Sequence, residues 1–235
     1  MNWSGKTVQV IERTMGLEGE FQLQRRGSEY EIIYNGVFIM ATYNGASERA
    51  AVRDALKNIS SPGHVSYKIL IGGLGVGYSL REALDSDKVT EVTVAELEPA
   101  IIRWNKDYFQ QYNNCALNDP RTVLIKSNFR DILDQKSAEA SNSPASLFHV
   151  VMIDTDNGSS WLSLPSNEYF YSTVGLKNIN ACLHAGGVAC FWCSCREEPL
   201  ENRLKEIFHR VSFHSVVERT GQEGCYYLAE KRSEV

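Results

Sequence analysis

The spacing of apolar and polar residues divides this chain near residue 60. Before that point the two kinds alternate. Residues 20–25 carry Phe21 and Leu23 on one side, and residues 29–34 and 37–42 flank Asn35-Gly36. An Asn-Gly pair tolerates the positive backbone angles of a two-residue hairpin turn, so the segment reads as a meander of short strands. Residues 47–59 switch to helical spacing, with Ala51, Val52, Ala55 and Leu56 as the apolar stripe, Ser47 as N-cap and Glu48 in the first turn. Beyond residue 60 the apolar runs become continuous, as in strands buried on both faces of a parallel sheet. They predict strands at 68–72, 91–96, 122–126, 148–153 and 188–193. Helices are expected between them at 79–84, from Pro99 through Tyr108, and at 130–135, 172–183 and 200–208. Two last strands, 211–217 and 225–230, are joined by a turn at 221–224.

Strands alternating with helices imply an α/β fold. The expected architecture is a Rossmann-like, seven-stranded, mostly parallel sheet with an antiparallel hairpin at one edge and a small N-terminal β appendage. The boundary is placed at Ser60-Ser61-Pro62-Gly63, giving an N-terminal unit of residues 1–60 and a nucleoside-binding unit of residues 61–235. Residues 137–146, rich in Ser, Ala and Asn, read as a loose linker.

The first continuous strand empties into Gly72-Gly73-Leu74-Gly75-Val76-Gly77, where backbone can turn sharply and approach a ligand without Cβ atoms in the way. The next strand ends on Glu96, at about the ~20-residue interval at which such folds present a carboxylate to ribose hydroxyls. Gly73, Gly75 and Gly77 are spaced G-x-G-x-G, and Tyr78 stands where a dinucleotide fingerprint needs its third glycine. A nucleoside without a pyrophosphate is therefore expected, and the pattern resembles the class I fold that binds S-adenosylmethionine (AdoMet) or its decarboxylated form. In open parallel sheets ligands lie beyond the carboxyl ends of the strands. That places Leu97 beside Glu96, and Asn128 with Phe129, among the cofactor-binding candidates. Asn128 can pair with an adenine edge or simply head the following helix.

The fourth strand runs into Asp154-Thr155-Asp156-Asn157-Gly158, too polar for core and suited to a ligand mouth. Asp154 and Asp156 are the catalytic candidates, Asp154 also facing the cofactor. A carboxylate there can take a proton from an attacking amine or hold its ammonium. Asp156 can equally be the cap of an Asx-turn with Asn157. Trp161, in a polar loop, and Asn157 are the candidate acceptor-binding residues, an aromatic wall suiting a cation. Trp192, Tyr169 and Tyr171 lie near the same strand ends, and Trp192 and Tyr171 are expected in the core.

Composition changes this picture little. The chain has 235 residues, is 43% hydrophobic and 23% charged, and carries a net charge of −5, so neither nucleic acid nor an anionic membrane is an expected partner. No apolar run approaches the ~20 residues of a membrane span and Met1 to Lys6 has no signal-peptide core, which points to the cytoplasm. The six cysteines lack the paired C-x-x-C spacing of a zinc site, and no metal is expected. Most of them read as small apolar filler.

The segments from Ile69 to Trp104, Asp119-Pro120-Arg121, Ile153-Asp154 through Tyr171 and Leu183 to Gly187 resemble the spermidine synthase family. Together with Asn35-Gly36-Val37-Phe38-Ile39-Met40, they are most similar to its short bacterial, spermidine synthase-like branch. The resemblance implies a small β domain on a class I AdoMet fold, often as a homodimer, with Glu96 on the ribose, Asn128 near adenine and Asp154 toward the cofactor's side chain. Aminopropyltransferases also carry a glutamine after the N-terminal turn and a tyrosine-histidine pair in the next helix; here those regions read Phe38-Ile39-Met40 and Arg49-Ala50-Ala51. Methyl transfer from AdoMet to a small amine-bearing acceptor is therefore the first expectation. Aminopropyl transfer from decarboxylated AdoMet, and a non-catalytic nucleoside-binding protein, are the alternatives.

Overall fold

A computed structural model describes residues 7–60, 66–140, 147–156 and 158–233. The N-terminal part is a four-stranded antiparallel meander, β1 (Val8–Met15), β2 (Glu20–Arg26), β3 (Glu29–Tyr34) and β4 (Val37–Ala41), paired in that order. Asn35 and Gly36 both adopt positive φ, as the hairpin turn requires. The pattern gave no sign of β1. It is an edge strand with Val8 and Val10 exposed and a register shift between Val10 and Glu12, so it lacks the clean alternation of a half-buried strand.

The larger sheet contains β5 (Tyr67–Gly72), β6 (Val89–Glu96), β7 (Thr122–Lys126), β8 (Phe148–Ile153), β9 (Leu183–Cys193), β10 (Arg210–Val217) and β11 (Glu223–Glu230), in the order β10-β11-β9-β8-β5-β6-β7. The first five run parallel, while β11 is antiparallel to both β9 and β10. Chain order reverses beside β5, which is where such sheets open a crevice. The fold class read from the sequence is therefore the fold observed.

Helices α1 (Ala46–Lys57), α2 (Tyr78–Leu84), α3 (Pro99–Asp107) and α4 (Gln110–Asn113) precede β7 in the chain. Helices α5 (Phe129–Ala140), α6 (Glu168–Tyr171), α7 (Thr173–Cys182) and α8 (Glu198–Ile207) follow it. Two apolar cores result. One joins α1, α2 and α3 to the inner residues Leu23 and Ile32 of the small sheet, and the other packs α5, α7 and α8 on the opposite face. Within the first core, Trp104 is fully buried and donates its indole N–H to Glu12 Oε2 at 3.0 Å, tying α3 to the small sheet.

Helix α1 packs its Ala50, Ala51, Val52 and Ala55 into the same core as β5 and β6, and two expectations are corrected here. Its N-cap is Gly45, not Ser47, which lies in the first turn. The cap is instead supplied from far along the chain: Glu218, just after β10, accepts the N–H groups of Gly45, Ala46 and Ser47 at 2.8–3.1 Å. Three of the four orphan donors at a helix start are thereby satisfied by one distant carboxylate. The expected linker at 137–146 is helical up to Ala140, and its remainder, like most of the expected boundary at 60–63, lies outside the described residues. Of the cysteines, Cys182, Cys190, Cys193 and Cys225 are buried, and all six are free thiols. Among the described residues no helix is long and apolar enough to cross a membrane.

Candidate functional site

The carboxyl ends of β5, β6, β7 and β8 meet beside the small sheet. At the end of β5, Gly73 has φ +94°, and a Cβ there would stand 2.3 Å from the carbonyl oxygen of Asp154. Gly75 has φ +52°, and a Cβ would meet Met40 Sδ at 2.7 Å. Both positions need glycine for conformation and for space. Gly77 differs from the expectation. It is the left-handed N-cap of α2, its missing Cβ faces Asn105 and Asn113, and it does not line the cavities described below. Its work is to turn the chain into the helix.

Glu96 ends β6 and is braced against the glycine turn. Its Oε2 accepts the Leu74 N–H at 2.9 Å and its Oε1 accepts the Glu98 N–H at 2.7 Å. Each carboxylate oxygen has a second lone pair, so the pair of oxygens can still receive two hydroxyls. Burial pushes the Glu96 carboxyl up to about 6, against the pull of those amides. After β7, Asn128 accepts the Arg130 N–H at 2.9 Å through its side chain, heading α5 while also facing the crevice. After β8, Asp154 accepts the Ser79 hydroxyl at 2.8 Å, and burial lifts its carboxyl to about 6.

Two adjoining cavities open here. The first, about 140 Å³, is lined by Gly73, Gly75, Glu96, Leu97, Asn128, Phe129 and Asp154, with Phe21, Ile32 and Tyr34 of the small sheet as its apolar lid. Glu98 Oε2 is buried in this lining without a hydrogen-bond partner, an acceptor suited to a ligand O–H. The second, about 240 Å³, is lined by the carboxylates of Glu48, Asp154, Asp156, Glu218 and Glu223, and by Trp161 and Trp192. None of the described residues lining it is Lys, Arg or His. Asn44 Oδ1 is a second buried acceptor with no donor, and Asn44 lines this cavity. Asp154, Gly75, Met40 and Ser163 belong to both walls, so Asp154 stands where the cavities join.

The expected residues divide accordingly. Gly73, Gly75, Glu96, Leu97, Asn128, Phe129 and Asp154 share the first cavity, Trp161 lines the second, and Asn157 lies outside the described residues. The Asp156 carboxylate is occupied by its own loop. Its Oδ1 accepts from Ser163 N and Ser163 Oγ, both at 2.7 Å, and from Asn167 Nδ2 at 3.0 Å, while Oδ2 accepts from Thr155 Oγ1 at 2.9 Å. Of the two roles open to it, turn anchor is the one those bonds describe. Tyr171 is buried as expected, its hydroxyl 3.4 Å from Asp156 Oδ2. Trp192 is half-buried and packs against the first core, and it also walls the second cavity and donates its indole N–H to Ser47 Oγ at 2.9 Å.

Sequence reasoning missed Asn44, Glu48, Glu218 and Glu223. For Glu48 a signal existed: it shares a helical face with Ala51, Val52 and Ala55, so an acid stood on the stripe that had to be buried. Glu218 and Glu223 sit at the β10–β11 turn, and nothing local to them announces a site.

Comparison with known proteins now becomes informative. The fold superposes on the crystal structure of spermidine synthase from Thermotoga maritima with a TM-score of 0.75, over 96% of this chain and 73% of that one, at 16% identity. A spermidine synthase solved with the transition state analogue AdoDATO matches to the same extent. The chain is similar in fold to spermidine synthase. Its sequence is 24% identical over 168 residues to the polyamine aminopropyltransferase of Serratia proteamaculans, covering 69% of this chain and 54% of that protein. The corresponding enzyme of Salmonella arizonae is 22% identical over 173 residues, 71% of this chain and 56% of that protein. The chain thus spans about half the length of the curated relatives it matches. No family model matches it.

Proposed function

We propose that this protein is a transferase that moves an aminopropyl group from decarboxylated AdoMet to a small amine. This is the alternative of the sequence reading, now preferred to methyl transfer. The similar proteins are named for aminopropyl transfer or spermidine synthesis, which favours it. The observation that carries the proposal is the second cavity: five acidic side chains, Asp154 among them, two tryptophans and no basic residue among those described. A cation is the ligand such walls favour, through charge and cation–π attraction.

In this reading the adenosyl group lies in the first cavity, with its ribose hydroxyls on Glu96 and its adenine near Asn128 and Phe129. Asp154, at the junction, faces the sulfonium's propylamine arm and the incoming nucleophile. The chemistry is displacement at a carbon bound to a sulfonium, for which alignment supplies most of the acceleration. Asp156 acts by holding the loop that carries Trp161. A homodimer is part of the proposal, supported by the exposed Val8, Val10, Val37 and Phe38 on the small sheet.

Calorimetry with AdoMet and with its decarboxylated form, followed by mass analysis of the product formed with 1,4-diaminobutane, tests the proposal. Preference for the decarboxylated nucleoside and an aminopropylated product are expected. A methylated amine would restore the methyl reading. Nucleoside binding without turnover of any amine would leave a binding protein.

A further inference from the structure

One of the five acids in the second cavity has been given no step of the reaction. Glu48 is 6% exposed, in the first turn of α1, and lines the cavity with Asp154. Its Oε2 lies 2.7 Å from Ser47 Oγ, which also lies 2.6 Å from Glu218 Oε1 and receives the Trp192 indole N–H. A single hydroxyl hydrogen cannot serve two carboxylates. One of the two contacts must be made by a carboxyl proton. Glu218 is held ionised: despite its burial, the Ser47 hydroxyl and the amides of Gly45, Ser47 and Ala46 bring it below the usual range. The proton therefore rests on Glu48, which burial and the nearby Asp154 charge push up to about 8. In this arrangement Ser47 receives from Glu48 and Trp192 and donates to Glu218.

The other carboxylates are less suited to proton transfer. Asp156 is occupied by Ser163 and Asn167, Glu218 caps α1, Glu223 is exposed, and Asp154 faces both cavities. Asp154, also lifted by burial, is held by the Ser79 hydroxyl at the junction; Glu48 is the buried acid on which the Ser47 contacts place a proton, and Asn44 Oδ1 is the unpartnered acceptor in the same wall. We infer that Glu48 takes the proton from the acceptor amine, while Asn44 Oδ1 receives a second N–H and fixes the nitrogen's direction. The inference rests on the transferase reading above.

The step balances. The substrate ammonium breaks one N–H bond, its proton passes to the ionised Glu48, and the electron pair stays on nitrogen. That pair attacks the propyl carbon beside the sulfonium, and the C–S bond breaks with its electrons passing to sulfur. A neutral thioether leaves and the positive charge moves to the new secondary ammonium.

The elements packed against α1 carry His149 on β8 with Asp154 just after it, His184, Cys190 and Cys193 on β9, Arg210 and His214 on β10, Glu218 just after it, Glu223, Cys225, Tyr226, Tyr227 and Glu230 on β11, and Tyr78, Arg81, Glu82 and Asp85 on or beside α2; of these, Asp154, Glu218 and Glu223 line the second cavity with Glu48. The charges of α1 itself turn elsewhere: Arg49 lies over Tyr78, Arg53 pairs with Glu82, and Asp54 accepts from Tyr226. Glu48 is neutral below about 8 and charged above it, so kcat/KM for the amine should rise with pH through that value.

The experiment compares wild type, Glu48→Gln and Glu48→Asp with decarboxylated AdoMet and 1,4-diaminobutane across that pH range. The glutamine variant should lose the limb near 8 and fall in kcat/KM by about 10²–10⁴-fold. The aspartate variant should keep a limb at a displaced pH. Calorimetry of 1,4-diaminobutane on the methylthioadenosine complex, in two buffers of different ionisation heat, should show proton release near neutral pH in wild type and none in Glu48→Gln. A glutamine variant that binds methylthioadenosine but keeps the wild-type limb or the proton release overturns the role of Glu48 alone. Failure of wild type itself to bind methylthioadenosine sinks the transferase reading, and this inference with it.

Discussion

The two cavities share Asp154 but are built in opposite ways. The first is assembled from consecutive strand ends: Gly73 and Gly75 after β5, Glu96 on β6, Asn128 after β7 and Asp154 after β8. Every one of those residues follows a recognisable apolar run. The second draws Asn44 and Glu48 from the start of the chain, Trp192 from β9, and Glu218 and Glu223 from the last hairpin. Their closest link is the cap in which Glu218 holds the start of α1 across 171 residues. The first cavity is thus a property of the parallel sheet, whereas the second is a property of how two distant loops fold against it. One consequence is that changes in the first cavity should show in nucleoside affinity, and changes in the second in amine kinetics or in folding.

The largest effect is expected at the shared residue. Asp154→Asn should lower turnover by about 10³-fold while methylthioadenosine still binds, because alignment and charge at the reacting arm are lost but the ribose grip is not. Loss of nucleoside binding in proportion to turnover would erase the division between the cavities. Gly73→Ala should be nearly as damaging for a different reason. A methyl 2.3 Å from a backbone carbonyl, at φ +94°, forces the turn to move, destabilising by about 1–3 kcal/mol and weakening the nucleoside, measurable by thermal unfolding and calorimetry.

Glu96→Gln should weaken methylthioadenosine by about 1.5–3 kcal/mol, the range for a hydrogen bond to a charged group. Its pH behaviour has a definite sign. The Glu96 carboxyl sits near 6 in the protein, so it is an acceptor above that pH and gains a proton below it. Wild-type affinity should fall as pH drops through about 6, and the glutamine variant should lack that step. Glu218→Ala should have the smallest catalytic reach. It leaves three amides of α1 without their acceptor and should cost about 1–2 kcal/mol of folding stability by denaturant titration. Nucleoside affinity should barely change, and a large change there would mean that the second cavity organises the first.

The sequence was legible wherever a local pattern carried the physics. Continuous apolar runs marked the strands of the large sheet, Asn35-Gly36 marked a hairpin of the small one, and the glycine turn followed by Glu96 marked the end at which the first cavity opens. Errors arose where the deciding neighbour was remote. Ser47 reads as an N-cap by type, but the Glu218 carboxylate satisfies the same amides and moves the helix start to Gly45. Gly77 reads as part of a ligand turn, but its open side faces Asn105 and Asn113.

The amino-acid sequence by itself determined the parallel sheet, its glycine turn and the acid that ends β6, because backbone conformation and burial periodicity are set by near neighbours. Tertiary structure alone decided which carboxylates share a wall and which are spent on the protein's own amides. Those are questions of proximity between segments more than 170 residues apart, and the electrostatics of Glu48 depends on burial and on Asp154 and Glu218, which only the fold brings near.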